Sequence, residues 1–207
     1  MVNVNAGVEF GVGWTDQSMT GSLESYAGPG SLVVDPAEYY GYLATTTPAA
    51  LASATLSLVT TNVYVARLYI PTTAAATYAD TFATTAGTVT VADAGLYSTT
   101  GAQLTTALTA NLTTHTNAWG AGLNTWQFIT PVTLQAGNYY YVAIQLTSSA
   151  APSVAASPAS PIQNINLNAT TSDFSIYGTN AALPASLTLS TLVTNDSVLA
   201  KPWIGIR

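Results

Sequence analysis

The alternation of apolar and polar positions predicts β-strands along most of this chain. Residues 63–70 read Val-Tyr-Val-Ala-Arg-Leu-Tyr-Ile. Both period-two faces of this run are mostly apolar, which is typical of a strand in the interior of a sandwich. Pro71 ends the strand because proline has no backbone N–H to donate. In residues 138–146 the same alternation predicts one core-facing set, formed by Tyr140, Val142, Ile144 and Leu146.

Turn signals separate further predicted strands. A glycine-containing turn between residues 94–98 and 102–104 predicts a β-hairpin, and a turn at Gly137 predicts a second hairpin from residues 131–134 and 138–146. Loops are expected at 105–125 and at the Ser-, Ala- and Pro-rich segment 148–161. The remaining predicted strands are residues 77–84, 87–92, 126–129, 173–177, 186–192 and 197–206.

Many short strands and no helix longer than two turns predict an all-β fold. We expect a jelly-roll-like antiparallel β-sandwich in residues 51–207. Residues 1–50 differ, because they hold seven glycines and the turn signal Gly28-Pro29-Gly30. They predict an extended N-terminal arm or attachment segment. An ordinary first strand and loop of a single domain is the alternative.

An aromatic run closes the predicted arm. Tyr39, Tyr40 and Tyr42 would pack on the sandwich or on an assembly partner, because aromatic side chains bury a large area on contact.

Charge is scarce in this chain. Charged residues make up 6% of it, against about 25% in a typical soluble domain. The net charge is −6, and three basic residues are too few to bind nucleic acid or an anionic membrane. A surface solvated by hydroxyl and amide groups suits repeated assembly or a neutral sugar ligand. A generic low-charge β-protein is the alternative.

Targeting signals and cysteines are missing from the sequence as given. Without cysteine there are no disulfides and no thiolate metal sites. The N-terminus MVNVNAGVEF lacks the basic and apolar regions of a signal peptide, and no apolar stretch is long enough to span a membrane. We therefore expect synthesis in a cytoplasm and arrival at the exterior by assembly.

The chain has few residues of the types that carry out catalysis. The chain has one histidine, His115, whose neighbours form no nucleophile motif, so we predict that it is not an enzyme. A hydrolase using His115 or a carboxylate pair is the alternative. We expect turn and strand-end roles for Asp80, Asp93, Asp173 and Asp196.

No cofactor or metal site is expected, since the chain has no phosphate-binding loop, no dinucleotide-binding motif and no His/Cys cluster. A lone Ca²⁺ held by aspartate and backbone carbonyls is the alternative.

Aromatic side chains are the remaining resource for binding. Trp119 in a Gly-rich loop, and Tyr139 and Tyr141 on an outer strand face, are the predicted ligand-binding residues, because flat rings stack on sugars or on protein partners. Trp126 and Trp203 are expected to pack in the core.

The order of several motifs resembles a jelly-roll module of minor tail, fibre and other virion proteins of actinobacterial phages. The resemblance covers about residues 51–207. The matching motifs are VYVARLYIP at 63–71, AGLYSTTG at 94–101, Trp126, PVTLQAGNYYYVA at 131–143 and KPWIGI at 201–206.

This resemblance implies a protein of the virion surface, either minor tail or fibre-like or decorating the head. It implies a homotrimer that also contacts other virion proteins and binds host-surface glycans, and it supplies no catalytic residues. Only about fifty residues precede the module here, which favours a small protein whose arm docks on the capsid or tail. A secreted carbohydrate-binding module is the alternative.

Overall fold

The predicted β-sandwich is confirmed, with two antiparallel sheets packed face to face. The computed structural model describes residues 41–47, 52–107, 120–158, 174–179, 182–194 and 200–207. Its elements in chain order are β1 (Ala44–Thr45), β2 (Ala54–Ser57), β3 (Asn62–Tyr69), β4 (Ala74–Thr85), β5 (Thr88–Tyr97), β6 (Gln103–Thr106), β7 (Gly122–Leu134), β8 (Tyr139–Ala150), β9 (Ser153–Ala156), β10 (Phe174–Thr179), α1 (Leu189–Thr194) and β11 (Ile204–Ile206).

Strand β4 is the centre of the first sheet, called sheet one. One edge of β4 pairs with β7, and the other edge pairs first with β11 and then with β9. Thr81, for example, lies between Asn124 of β7 and Ile204 of β11. Strand β1 adds to β11, and β2 adds to β9. The final strand of the chain therefore completes a sheet that begins with β1.

Sheet two has the strand order β10–β3–β8–β5–β6. The prediction that residues 63–70 form an interior strand is confirmed, because β3 pairs with β10 on one edge and β8 on the other. The predicted hairpin around Gly101 is confirmed as well, since β5 pairs with β6 across that turn.

The main core lies between the inner faces of the two sheets. The core-facing set predicted on residues 138–146 is confirmed, because Tyr140, Val142, Ile144 and Leu146 all belong to it. Sheet one contributes Trp126, whose side chain is buried as predicted. Period-two alternation therefore gives the correct inward face of the central strand of sheet two.

The second predicted hairpin, around Gly137, is wrong. Strand β7 pairs with β4 in sheet one, whereas β8 pairs with β3 and β5 in sheet two, so the turn carries the chain between the sheets. The Gly137 N–H donates to the carbonyl of Ile70 at 2.8 Å, which ties this turn to the end of β3. Gly137 has a φ of +80°, a backbone conformation that glycine adopts without strain, which explains why glycine occupies this position.

Three segments take structures other than those predicted. Residues 189–192 of the predicted strand 186–192 lie in the short helix α1. In the predicted loop 105–125, β6 continues to Thr106 and β7 begins at Gly122. In the predicted exposed loop 148–161, β8 continues to Ala150, β9 follows, and the side chains of Val154 and Ala156 are buried. Among the described residues, no helix has the length and apolarity needed to cross a lipid bilayer.

Residues 41–47, at the end of the predicted arm, pair with the last strand. Backbone N–H groups of Leu43 and Thr46 donate to carbonyls of β11, at 2.7 and 2.9 Å. The Tyr42 ring lies over Gly205, where an added Cβ would come within 2.6 Å of it, so this position requires glycine. Tyr39 and Tyr40 lie outside the described residues, as does the rest of the predicted arm.

Asp80 and Asp93 lie within strands, not at the turns or strand ends predicted for them; Asp173 and Asp196 lie outside the described residues. Asp80 is fully buried on the outer face of sheet one. Arg207 donates to its carboxylate from Nε at 2.6 Å and from Nη2 at 3.3 Å. The same guanidinium lies 4.6 Å from the ring centroid of Tyr78.

Tyr42 covers the other side of this ion pair. Burial is the main reason that the pKa of Tyr42 rises to about 12, and the charge of Asp80 and a hydrogen bond to it add to the rise. The backbone of Arg207 is also fixed, because its carbonyl accepts from the N–H groups of Thr77 and Tyr78, each at 2.7 Å. The last residue thus holds β11 against β4 through both backbone and side chain.

Replacing Arg207 by methionine leaves the Asp80 carboxylate buried without its cation. We expect the Arg207→Met variant to lose about 2–4 kcal/mol of unfolding free energy, measured by urea denaturation. The double variant Asp80→Asn/Arg207→Met removes both charges and should recover most of that loss. Equal losses in the single and double variants would contradict the role given to this pair.

Asp93 is buried on the outer face of sheet two, opposite Gln145 of β8. Burial raises the pKa of its carboxyl from 3.8 to about 6, although N–H groups of Ala94 and Ala107 partly oppose the rise. The native state therefore holds a proton that the unfolded chain releases between about pH 4 and pH 6.

The unfolding free energy should fall as pH rises through this window. A shift of this size corresponds to about 2–3 kcal/mol lost between pH 4 and pH 7. Asp93→Asn should remove the fall and be the more stable protein at pH 7. Melting temperatures across the pH range check this, and an unchanged slope in the variant would refute it.

Candidate functional site

The outer face of sheet two is covered along part of its length by residues 182–194. A second apolar cluster lies beneath this cover, which we call the outer cluster. It consists of Val63, Val65, Tyr97, Tyr141, Ala143, Leu187 and Leu192. Both faces of the central strands are therefore apolar for a structural reason, because each face packs against another layer.

Hydrogen bonds fix the cover to sheet two. The Tyr97 hydroxyl donates to the Pro184 carbonyl at 2.9 Å, and the Gln103 amide donates to the same carbonyl at 3.1 Å. The Leu187 N–H donates to the Gly101 carbonyl at 2.7 Å. Burial raises the pKa of Tyr97 to about 12, so this hydroxyl remains a donor at physiological pH.

Two tyrosines lie on the same face beyond the outer cluster. Tyr69 is the last residue of β3 and Tyr139 the first of β8, and they face each other directly in the strand register. Their side chains are 50% and 48% exposed, and their ring centroids are 5.3 Å apart at an interplanar angle of 57°. We call Tyr69 and Tyr139 the tyrosine pair.

Arg67 supports the tyrosine pair from the side of the outer cluster. Its guanidinium carbon lies 4.6 Å from the ring centroid of Tyr139, within the range of a cation–π contact. In the register of β3 and β8, Arg67 is opposite Tyr141, two residues further along the strands than the tyrosine pair. The Tyr139 ring is therefore packed on two sides while about half of it faces solvent.

The tyrosine pair offers groups that are suited to contact with a ligand. Two exposed rings offer apolar area at low entropy cost, and their hydroxyl groups can donate and accept hydrogen bonds at the rim. Asp80 and Asp93 lie on the outer faces of opposite sheets, so these two carboxylates cannot act on one substrate. The described part of the chain has no cluster of three His, Cys, Asp or Glu side chains that could hold a metal ion.

The predicted binding residues lie in different places. Tyr139 is accessible, but Tyr141 is buried in the outer cluster, where a ligand cannot stack on it without displacing the cover. Tyr42 lies on sheet one and packs edge-on against Trp203, with ring centroids 5.3 Å apart. Trp119 and His115 lie outside the described residues.

Tyr69 was not predicted as a binding residue, although the sequence contains a signal for it. Alternation in residues 63–70 places Tyr69 on the same face as Arg67. If residues 63–70 and 138–146 are antiparallel neighbours, the end of one faces the start of the other, which puts Tyr69 beside Tyr139. The missing information was which strands are neighbours.

No family model matches this chain, and neither the curated proteins nor the solved structures include a significant match to it. The resemblance to virion modules therefore stays a prediction from the sequence motifs, and the candidate site is defined by its own geometry.

Substitution of Tyr139 and of Tyr141 should have different effects on the unfolding free energy. Tyr141→Ala removes a buried ring from the outer cluster and should cost about 3–5 kcal/mol of unfolding free energy. Tyr139→Ala removes a half-exposed ring and its contact with Arg67, so a loss of about 1 kcal/mol is expected. Urea denaturation of both variants measures this difference. A larger loss for Tyr139→Ala would show that this ring is structural.

Proposed function

We propose that this chain is a non-enzymatic surface protein of a tailed-bacteriophage particle and that it binds neutral cell-surface glycans through the tyrosine pair. The observation that carries the binding role is the exposed Tyr69–Tyr139 contact on a sheet face that residues 182–194 cover only in part. The virion location rests on the order of the sequence motifs.

The geometry of the pair supports a flat, partly apolar ligand. Exposed aromatic rings are costly to leave in water, and here two of them adjoin at the ends of paired strands. A pyranose ring has an apolar face that can lie on one tyrosine while its hydroxyls reach the second. Because both rings are anchored on strands, little conformational entropy is lost on binding.

Low charge supports a neutral ligand. Among the described residues, Arg67 is the charged side chain in contact with a ring of the tyrosine pair, and that ring is Tyr139. Binding that depends on stacking and on hydroxyl groups should be insensitive to ionic strength. It should therefore persist between about 0.05 and 0.5 M salt, in contrast to phosphate recognition.

A cell-binding assay tests the proposal. Fluorescently labelled protein is titrated onto intact actinobacterial cells and onto the neutral polysaccharide extracted from their walls. We expect saturable binding that weakens about tenfold in Tyr139→Ala and in Tyr69→Ala, because aromatic anchors dominate such sites. Tyr139→Phe retains the ring and should keep most of the affinity.

Leu104→Ala is the matched control, since Leu104 is another exposed apolar residue of sheet two and lies in β6. Its binding should equal that of the unaltered protein. If all three alanine variants bind equally, or if binding disappears in high salt, the tyrosine pair is not the glycan site.

A secreted carbohydrate-binding module is the second candidate, because the same tyrosine pair would serve it. Mass spectrometry of purified phage particles separates the two candidates. Stoichiometric presence of the chain in particles supports the virion role. Its presence in the cleared culture medium and not in particles supports the secreted module, whichever result the cell-binding assay gives.

A further inference from the structure

The outer face of sheet one carries a group of large apolar side chains with no role in the core. Phe82 of β4 and Leu123 of β7 face each other in register and are 46% and 56% exposed. Ile129 lies further along β7 and is 67% exposed. Alternation along β7 puts Leu123 and Ile129 on the same side, because Trp126 and Phe128 point into the core.

A pocket opens beside Leu123 on this face. Its volume is about 260 Å³, and it is lined by Ala52, Phe82, Leu123, Ala155 and Trp203. The pocket lies where β9 and β11 pair in succession with the same edge of β4. Trp203 is held between them, since its backbone N–H donates to the Ala155 carbonyl at 2.8 Å. The lining is almost wholly apolar and is large enough for a branched aliphatic side chain.

The protrusion lies on β7, and the pocket lies mainly across β4 from it, with Leu123 as the one β7 residue in its lining. Six residues of extended chain separate Leu123 from Ile129, a distance of about 20 Å. Between them the outward positions of β7 are Thr125 and Gln127, which are uncharged and exposed. Among the described residues of this face, the exposed charged side chain is Arg207, which forms an ion pair with Asp80.

We propose that the outer face of sheet one is a two-fold interface between copies of this chain, in which Ile129 of each copy enters the pocket of the other. An isologous contact requires a surface that is complementary to itself. A two-fold axis that lies between the two facing surfaces, over β4 and β7, exchanges Ile129 of one copy with the pocket of the other. Each copy then supplies one protrusion and one pocket.

Charge favours a second copy over a different partner. All three basic residues and only two of the nine carboxylates lie in the described residues, so this part of the chain is close to neutral. Two such faces can meet without burying an unpaired charge, which is the usual cost of contact between identical surfaces. A sugar ligand is disfavoured here, because Trp203 is buried and offers no open ring face.

The mass of the purified chain in solution tests the interface. Sedimentation over a range of concentrations should show a species of twice the 21.3 kDa chain mass, in place of the homotrimer that the sequence resemblance implies. Ile129→Ser should raise its dissociation constant at least about tenfold, as expected for a central anchor. The control Val59→Ser removes another exposed aliphatic side chain, in the turn between β2 and β3, and should change nothing.

Complementation between two variants makes the test specific to the two-fold geometry. Ile129→Ser retains the pocket but loses the protrusion, whereas Ala155→Phe fills the pocket and retains the protrusion. Each alone should be monomeric at concentrations where the unaltered chain is dimeric. Mixing them restores one of the two contacts, so a mixed dimer of intermediate affinity is expected. Circular dichroism confirms that both variants are folded.

Three outcomes would overturn the proposal. A chain that stays monomeric at every concentration has no such interface. An assembly of any size that is unaffected by Ile129→Ser uses another surface. Failure of the two folded variants to associate when mixed excludes the reciprocal contact. Tyr139→Ala should leave the mass unchanged, so the interface and the glycan site can succeed or fail independently.

Discussion

The shared edge of β4 is the constraint on which sheet one depends. One edge of this strand is paired with β7, and the opposite edge must accommodate both β11 and β9. The buried carboxylate of Asp80 lies where β11 attaches, and Arg207 at the end of the same segment neutralises it. Strand pairing and charge pairing therefore require the same register, since a slip of β11 would separate the ion pair and expose its apolar face.

Sheet two meets a different requirement, because its central strands are apolar on both faces. The inner face packs on sheet one, and the outer face needs a further layer, which residues 182–194 supply over the outer cluster. This layer does not extend over the ends of β3 and β8 at Tyr69 and Tyr139. The tyrosine pair is thus exposed beside the outer cluster, where Tyr139 contacts both Tyr69 and Arg67.

The sequence predicts local features of this fold better than long-range ones. Alternation identifies β3, β8 and the inward face of β8, because period-two burial is a property of each strand alone. It cannot show that the turn at Gly137 joins strands of different sheets, since turn chemistry is the same whichever strand follows. The pairing of β3 with β8 is also a long-range feature, so the sequence predicts Tyr139 as accessible but does not identify Tyr69. The burial of Tyr141 depends on residues 182–194, which are distant in sequence.

The scarcity of charge has different consequences on the two outer faces. On sheet two it leaves aromatic rings as the groups able to recognise a ligand, with Arg67 in contact with Tyr139. On sheet one it removes the repulsion that normally keeps identical surfaces apart, so exposed aliphatic side chains favour self-association. If the copies pair through sheet one, the two tyrosine pairs face outward in opposite directions. Each dimer then presents two glycan sites on opposite sides, so it can link two glycan-bearing surfaces, but both sites cannot contact one flat cell surface at once.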